Sequence, residues 1–183
     1  FEAAEADPIK YHALKDFLPK ETAEKKEASE PEEPARKKRP GYSAVFKEAI
    51  VQLGHKDRRI CTITAGMPDG TGLLKFAEEF PDRYFDVGIC EQHGAGFGSG
   101  LAFGGLRPIF AVYSTFAQRA YDQLIHDVCI QENSLIFCLD RAGLTGEDGW
   151  THHGVFDIAF MRCVPGMMLM APRDGEELEE MLQ

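Results

Sequence analysis

From Tyr42 onward, short apolar runs alternate with segments whose apolar positions recur at helical spacing. That alternation is the signature of a parallel sheet covered by helices, so the fold class is α/β. The pattern predicts helices over 43–53, 72–79, 92–103, 115–131, 156–162 and 174–182, and strands over 60–64, 84–89, 108–112, 135–139 and 167–170. Residues 1–19 are mixed, with too little apolar periodicity to make a core alone. Residues 20–41 are nearly all charge, Ala and Pro, and cannot bury enough apolar surface to offset the entropy of ordering them. They are expected to be a disordered linker, leaving 42–183 as the folded domain. The chain stops inside or just after its last helix, which predicts a domain cut short at the C-terminal end.

Charge and cysteine content narrow the classes further. The formal net charge of −10 argues against a general nucleic-acid binder or a protein held to anionic membranes, since both rely on excess Lys and Arg. Five cysteines without a CxxC pair, most of them inside apolar runs, read as reduced core thiols of a cytosol-like compartment. No run reaches the roughly 18 apolar residues of a membrane span. The first residue is Phe1 rather than Met, so targeting information is expected to be missing.

Candidate chemistry gathers where strands end. Open parallel sheets place ligands beyond the carboxyl ends of their strands, and Glu91 stands between the apolar run 84–89 and a glycine-studded helix. It reads as one carboxylate delivered to a ligand cleft. Gly94, Gly96, Gly98 and Gly100 recur every second residue, which fits no phosphate-binding glycine motif and points to close backbone approach, to a neighbouring helix or a second subunit. The next strand end carries Tyr113, Phe116 and Arg119: Phe116 offers a flat face for a heteroaromatic ring, and Tyr113 and Arg119 can hold polar groups. A third loop, 140–154, brings Arg141 for a phosphate or carboxylate, Asp148 for a hydroxyl, and His152 for proton transfer. His152 and His153 are adjacent, but no matching Cys or carboxylate spacing supports a metal site.

The motifs YFDVGICEQH, RPIFAVYSTFAQRAYDQLIHDV and DRAGLTGEDGWTHHGVFD together resemble the 1-deoxy-D-xylulose-5-phosphate synthases, a thiamine-diphosphate-dependent family of the transketolase group. The opening FEAAEADPIKYHA resembles the segment that joins the family's first domain to its second, pyrimidine-binding domain. The resemblance implies that this chain is a connector (1–19), the charged linker and that second domain. It also implies a thiamine-diphosphate-binding fold and the decarboxylating condensation of pyruvate with D-glyceraldehyde 3-phosphate. Glu91 falls on the cofactor-activating glutamate, and Phe116 on the ring that packs against the aminopyrimidine. Phe1 falls on a connector aromatic that contacts the cofactor, and Arg119 lies beside the pyrimidine pocket. Tyr113, Arg141, Asp148, His152 and His12 fall on substrate-pocket positions, with Arg141 at the acceptor phosphate.

Departures from the family pattern are informative. The magnesium and diphosphate site rests on a GDG motif followed by an Asn, whereas this chain has Glu147-Asp148-Gly149 and a single asparagine, Asn133. Mg2+ ligands are therefore expected in a preceding domain, none in this chain, and the polypeptide alone is expected to be inactive. The charged insertion and the glycine run also depart from the family. The resemblance implies a homodimer in the cytoplasm of a bacterium, or in the plastid stroma if a transit peptide has been lost. Two other readings stay open: another transketolase-type enzyme, and a noncatalytic module of the same fold.

Overall fold

Every residue of the strand β1 (Ile60–Thr64) is buried, because it lies inside a four-stranded parallel sheet of order β2-β1-β3-β4. In the computed structural model, which describes residues 5–6, 39–146 and 148–183, the other strands are β2 (Tyr84–Asp86), β3 (Arg107–Tyr113) and β4 (Ile136–Asp140). Contacts divide the chain into two units, Phe1–Arg39 and Pro40–Gln183. Of the first, Glu5 and Ala6 are helical and exposed. Most of the connector and of the linker, Phe1 and His12 among them, lie outside the described residues.

Side chains alternate across the sheet, as the pleat requires. Ile109 and Ala111 of β3 enter one apolar cluster with helix α1 (Tyr42–Lys56) and helix α2 (Leu74–Glu79), through Phe46, Ile50, Val51, Leu73 and Phe76. Phe110 and Val112 face the opposite cluster, where helix α3 (Glu91–Phe103) contributes Ala95. Apolar residues of α1 recur at three- and four-residue spacing, so one stripe covers the sheet. The Ser43 hydroxyl at its start donates to Asp140 Oδ2 at 2.8 Å, tying α1 to the end of β4.

Register aligns the four carboxyl ends. Thr64 pairs with Asp86, and Tyr113 with Asp140, so the loops after all four strands leave from one sheet edge. The glycines of α3 explain how closely that helix approaches. A Cβ on Gly94 would stand 2.6 Å from Phe110 Cζ, and one on Gly98 would stand 2.9 Å from Leu135 Cδ1 and 3.1 Å from Ile63 Cδ1. The close approach is thus chiefly to the sheet rather than to a helix. Gly100 has nothing within 4 Å of that position.

The strand expected over 84–89 ends at Asp86, and two elements differ more from the sequence pattern. The single helix expected over 115–131 is a helical stretch of changing pitch: α4 (Ser114–Ala117), a 3-10 turn (Gln118–Ala120), α5 (Tyr121–Gln123) and a π-helical turn (Leu124–Cys129). The Asp127 carbonyl in that last turn accepts from Ser99 Oγ at 2.5 Å and from Asn133 Nδ2 at 3.4 Å, so side chains compete for it with the regular helical ladder. The strand expected over 167–170 does not form. Met168 and Met170 are more than half exposed, and this short apolar run joins no ladder among the described residues. Instead, the Tyr42 hydroxyl donates to the Arg173 carbonyl at 2.8 Å, fastening the chain beyond that run to α1. Helix α6 (Asp157–Met161) and helix α7 (Gly175–Leu182) complete the domain, α7 being capped by the Asp174 carboxylate accepting from Glu177 N.

Gly94→Ala should destabilise the domain by about 1–3 kcal/mol through overpacking against Phe110, whereas Gly100→Ala should be neutral or stabilise it by up to about 1 kcal/mol. Chemical denaturation of the two variants checks this. Equal destabilisation would show that the helix does not meet the sheet through Gly94.

Candidate active site

The path into Glu91 is set by a second carboxylate. Asp86, last residue of β2, accepts at Oδ1 from Gly66 N at 2.8 Å and from Gly88 N at 3.0 Å, so it binds the loop after β1 to the loop after β2. Both glycines hold positive φ, +74° and +67°, where an L side chain would be strained. From that turn the chain enters α3 with Glu91 as its first residue, at the end whose free N–H groups favour negative charge.

Glu91 is 1% exposed. Its Oε2 stands 3.0 Å from Nε of Arg119, whose side chain is 56% exposed. The same oxygen has no hydrogen-bond partner. The guanidinium is thus near enough to attract the carboxylate but not aligned to donate, and a buried acceptor is left open. Buried polar atoms in folded proteins are nearly always satisfied, so an orphan of this kind calls for a partner, whether a water, an ion or a ligand donor.

The end of β3 builds the second half. The rings of Tyr113 and Phe116 stack at 5.9 Å with planes 20° apart. His152, in the 3-10 turn Trp150–His152, meets the Phe116 ring edge-on at 5.4 Å. Arg141 lies over Tyr113, its Cζ 3.9 Å from the ring centroid. Its Nε donates to Asp148 Oδ2 at 2.7 Å and its Nη1 to the Gly70 carbonyl at 3.1 Å. Arg141 also holds φ +56°, and its N–H donates to Asp140 Oδ1 at 2.7 Å. A non-glycine residue in that region is a local strain characteristic of functional loops.

Five of the sequence candidates, Tyr113, Phe116, Arg141, Asp148 and His152, therefore form one cluster, and Glu91 with Arg119 forms another. The helical stretch 114–120 joins them, since it carries Phe116 into the first and Arg119 into the second. His153 has a different duty: its Nδ1 accepts from Thr145 N at 3.0 Å and holds the loop. Among the described residues, no group of three or more His, Cys, Asp or Glu is arranged to hold a metal ion.

Sequence reasoning missed Asp86, Gly70 and the buried pair Ser114 and Asp157. Gly70 lies so close to Tyr113 that a Cβ there would overlap the phenol oxygen. Its sequence signal was the PDGTG turn that follows β1. Asp86 carried the weaker signal of an acid at a strand end, two residues before a glycine.

Burial raises the Tyr113 phenol above its ordinary 10.0, against the pull of the Arg141 guanidinium. Folding thus favours the neutral phenol. The associated stabilisation is complete below pH 10.0 and is lost as the pH climbs through the raised value. The difference in phenolate absorbance between wild type and Tyr113→Phe should reveal a tyrosine titrating above 10.0. A difference curve centred at or below that value would mean that the ring is solvated.

Comparison with known proteins supplies the context of this geometry. The family profile for the transketolase pyrimidine-binding domain matches residues 38–183. The chain is 55% identical over 182 residues to the 1-deoxy-D-xylulose-5-phosphate synthase of Thermomicrobium roseum, and 53% identical over 182 residues to that of Gloeobacter violaceus. Each alignment covers 100% of this chain and 27% of the relative, so the chain spans about a quarter of the length of these proteins. Among solved structures, a split-gene transketolase described as an inactive β4 tetramer superposes with a TM-score of 0.69 at 27% identity, covering 79% of this chain and 47% of that one. The transketolase of Leishmania mexicana superposes with a TM-score of 0.70 at 19% identity, covering 80% of this chain and 23% of that one, and shares the fold.

Proposed function

The chain belongs to the transketolase pyrimidine-binding domain family, and on that premise we propose that it supplies the pyrimidine-binding half of the active site of a 1-deoxy-D-xylulose-5-phosphate synthase. The reaction would condense pyruvate with D-glyceraldehyde 3-phosphate and release carbon dioxide. The observation that carries this reading is the buried Glu91 oxygen without a hydrogen-bond donor, at the end of α3 that opens beside the sheet edge.

Thiamine diphosphate fits the residues present. An open carboxylate acceptor suits a heteroaromatic ring nitrogen, and Phe116, stacked on Tyr113, stands about one helical turn before Arg119, the ion-pair partner of that carboxylate. When bound, the cofactor supplies the carbon nucleophile that makes decarboxylation of a 2-oxo acid accessible. Glu91 would hold a proton between its Oε2 and the ring, and its burial keeps competing water from that oxygen. Phe116 would give the ring a flat apolar face. Arg119 balances the carboxylate's charge without occupying its hydrogen-bonding direction.

The acceptor would sit against the 141–154 loop. Arg141, already oriented by Asp148, Gly70 and the Tyr113 ring, offers guanidinium N–H groups to a phosphate. His152 faces the aromatic pair and is placed to exchange a proton with a hydroxyl or carbonyl oxygen. Phe1 and His12 keep the cofactor and substrate roles that the resemblance implies. Mg2+ ligands would come from another part of the protein, the enzyme would be a homodimer, and its compartment would be the cytoplasm or the plastid stroma. No helix among the described residues is long and apolar enough to cross a membrane.

In a protein of the relatives' full length carrying this segment, Glu91→Gln and Glu91→Ala should lower carbon dioxide release from the two substrates by about a hundredfold or more. Near wild-type turnover under saturating cofactor would overturn the reading.

A further inference from the structure

Ser114 and Asp157 are 1% and 8% exposed, and neither has a part in the chemistry above. The Ser114 hydroxyl donates to Asp157 Oδ2 at 2.8 Å, while Asp157 Oδ1 accepts from Ile158 N at 2.7 Å. A buried carboxylate is costly where an apolar side chain would fill the same space, so this bond has to be weighed as a directional one. It joins two segments that are 43 residues apart and that both carry site residues. Ser114 begins the turn bearing Phe116, two residues on; Asp157 follows the loop bearing Arg141, Asp148 and His152.

Gly154 makes the same junction from the loop side. It exchanges two backbone hydrogen bonds with Gly143, of 2.7 and 2.9 Å, closing the neck of the loop. A Cβ on Gly154 would stand 2.5 Å from Ser114 Cβ and 2.6 Å from the Arg141 carbonyl, so only glycine lets this neck seat on Ser114. Close by, Thr115 Oγ1 donates to the Thr151 carbonyl at 3.4 Å, next to His152. Phe116 packs against the apolar core, so its ring is held from beneath. The loop carrying Arg141 and His152 thus meets the turn bearing Phe116 at Ser114, through the Asp157 carboxylate, the Gly154 neck and the neighbouring Thr151 carbonyl.

We propose that Ser114, Gly154 and Asp157 are positioning residues that set the place of the acceptor-binding loop against the Phe116 ring, and so determine how well the phosphorylated acceptor is held. This inference rests on the synthase reading. Glu91 lies on α3, and Phe116, though on the same helical stretch as Ser114, is held by the apolar core, so the cofactor side keeps supports of its own when the node is lost. Loss of the node should therefore appear chiefly in the acceptor.

The test uses the full-length protein, with steady-state kinetics in each substrate, calorimetric titration of thiamine diphosphate, and thermal melting. Asp157→Ala should raise the acceptor KM by about tenfold or more, with pyruvate KM and cofactor affinity within about twofold of wild type. Asp157→Asn, which can still bond the Ser114 hydroxyl, should restore the acceptor KM to within about threefold. Ser114→Ala removes the same bond with the least change of shape, and should move the acceptor KM in the same direction if Asp157→Ala fails to fold. A parallel rise in both KM values together with cofactor dissociation would reduce the node to general stability and overturn the inference, as would an unchanged acceptor KM in a folded variant. Wild type without synthase activity, or full activity in Glu91→Gln, would sink the underlying reading instead.

Discussion

Burying the Glu91 carboxylate costs several kcal/mol unless its charge is answered, and two features of the chain answer it only in part. It opens a 13-residue helix, whose N-terminal N–H groups carry partial positive charge. Arg119 stands 3.0 Å away but out of hydrogen-bonding alignment. The rest of the domain is arranged so that this incomplete compensation persists. Gly94 and Gly98 let α3 lie close enough on the sheet for its first residue to start at depth, and Asp86 fixes the turn from which it starts. Stability left unclaimed at such a site is available to a ligand.

A parallel sheet makes the second half of the site possible. With Thr64 opposite Asp86 and Tyr113 opposite Asp140, residues far apart in sequence leave their strands at the same level. Gly70, Tyr113 and Arg141 can then meet in one stack, with Arg141 in a left-handed conformation between two carboxylates. Ser114 and Asp157 seat the loop that carries the polar groups. These neighbours and bonds within the loop itself, Arg141 to Asp148 and Thr145 to His153, together hold those groups in place.

Much of this was legible in the sequence, for identifiable reasons. Buried strands such as β1 announce themselves as unbroken apolar or β-branched runs, and strand-end candidates follow from the behaviour of parallel sheets. The motifs around Glu91, Phe116 and the 140–154 loop pointed to the transketolase group, whose pyrimidine-binding-domain profile matches residues 38–183. What escaped were properties of pairs. The Ser114 to Asp157 bond spans 43 residues and has no local signal, and the PDGTG turn marks Gly70 as a turn residue without showing that Tyr113 is the side chain it makes room for. The 167–170 run misled because a short apolar stretch looks the same whether or not a partner strand is available, and here its side chains are largely exposed. Near the end of the helical stretch after β3, Ser99 and Asn133 both bond the Asp127 carbonyl, a long-range contact that periodicity cannot register.

The central claim is that Glu91 Oε2 is an acceptor kept open for the cofactor ring. A crystal structure of the full-length protein with thiamine diphosphate bound tests it most directly. The account predicts a ring nitrogen within about 2.5–3.0 Å of that oxygen, with the Phe116 ring against the same heterocycle. A bound cofactor whose ring lies elsewhere, with Oε2 still lacking a hydrogen-bond partner, would contradict it.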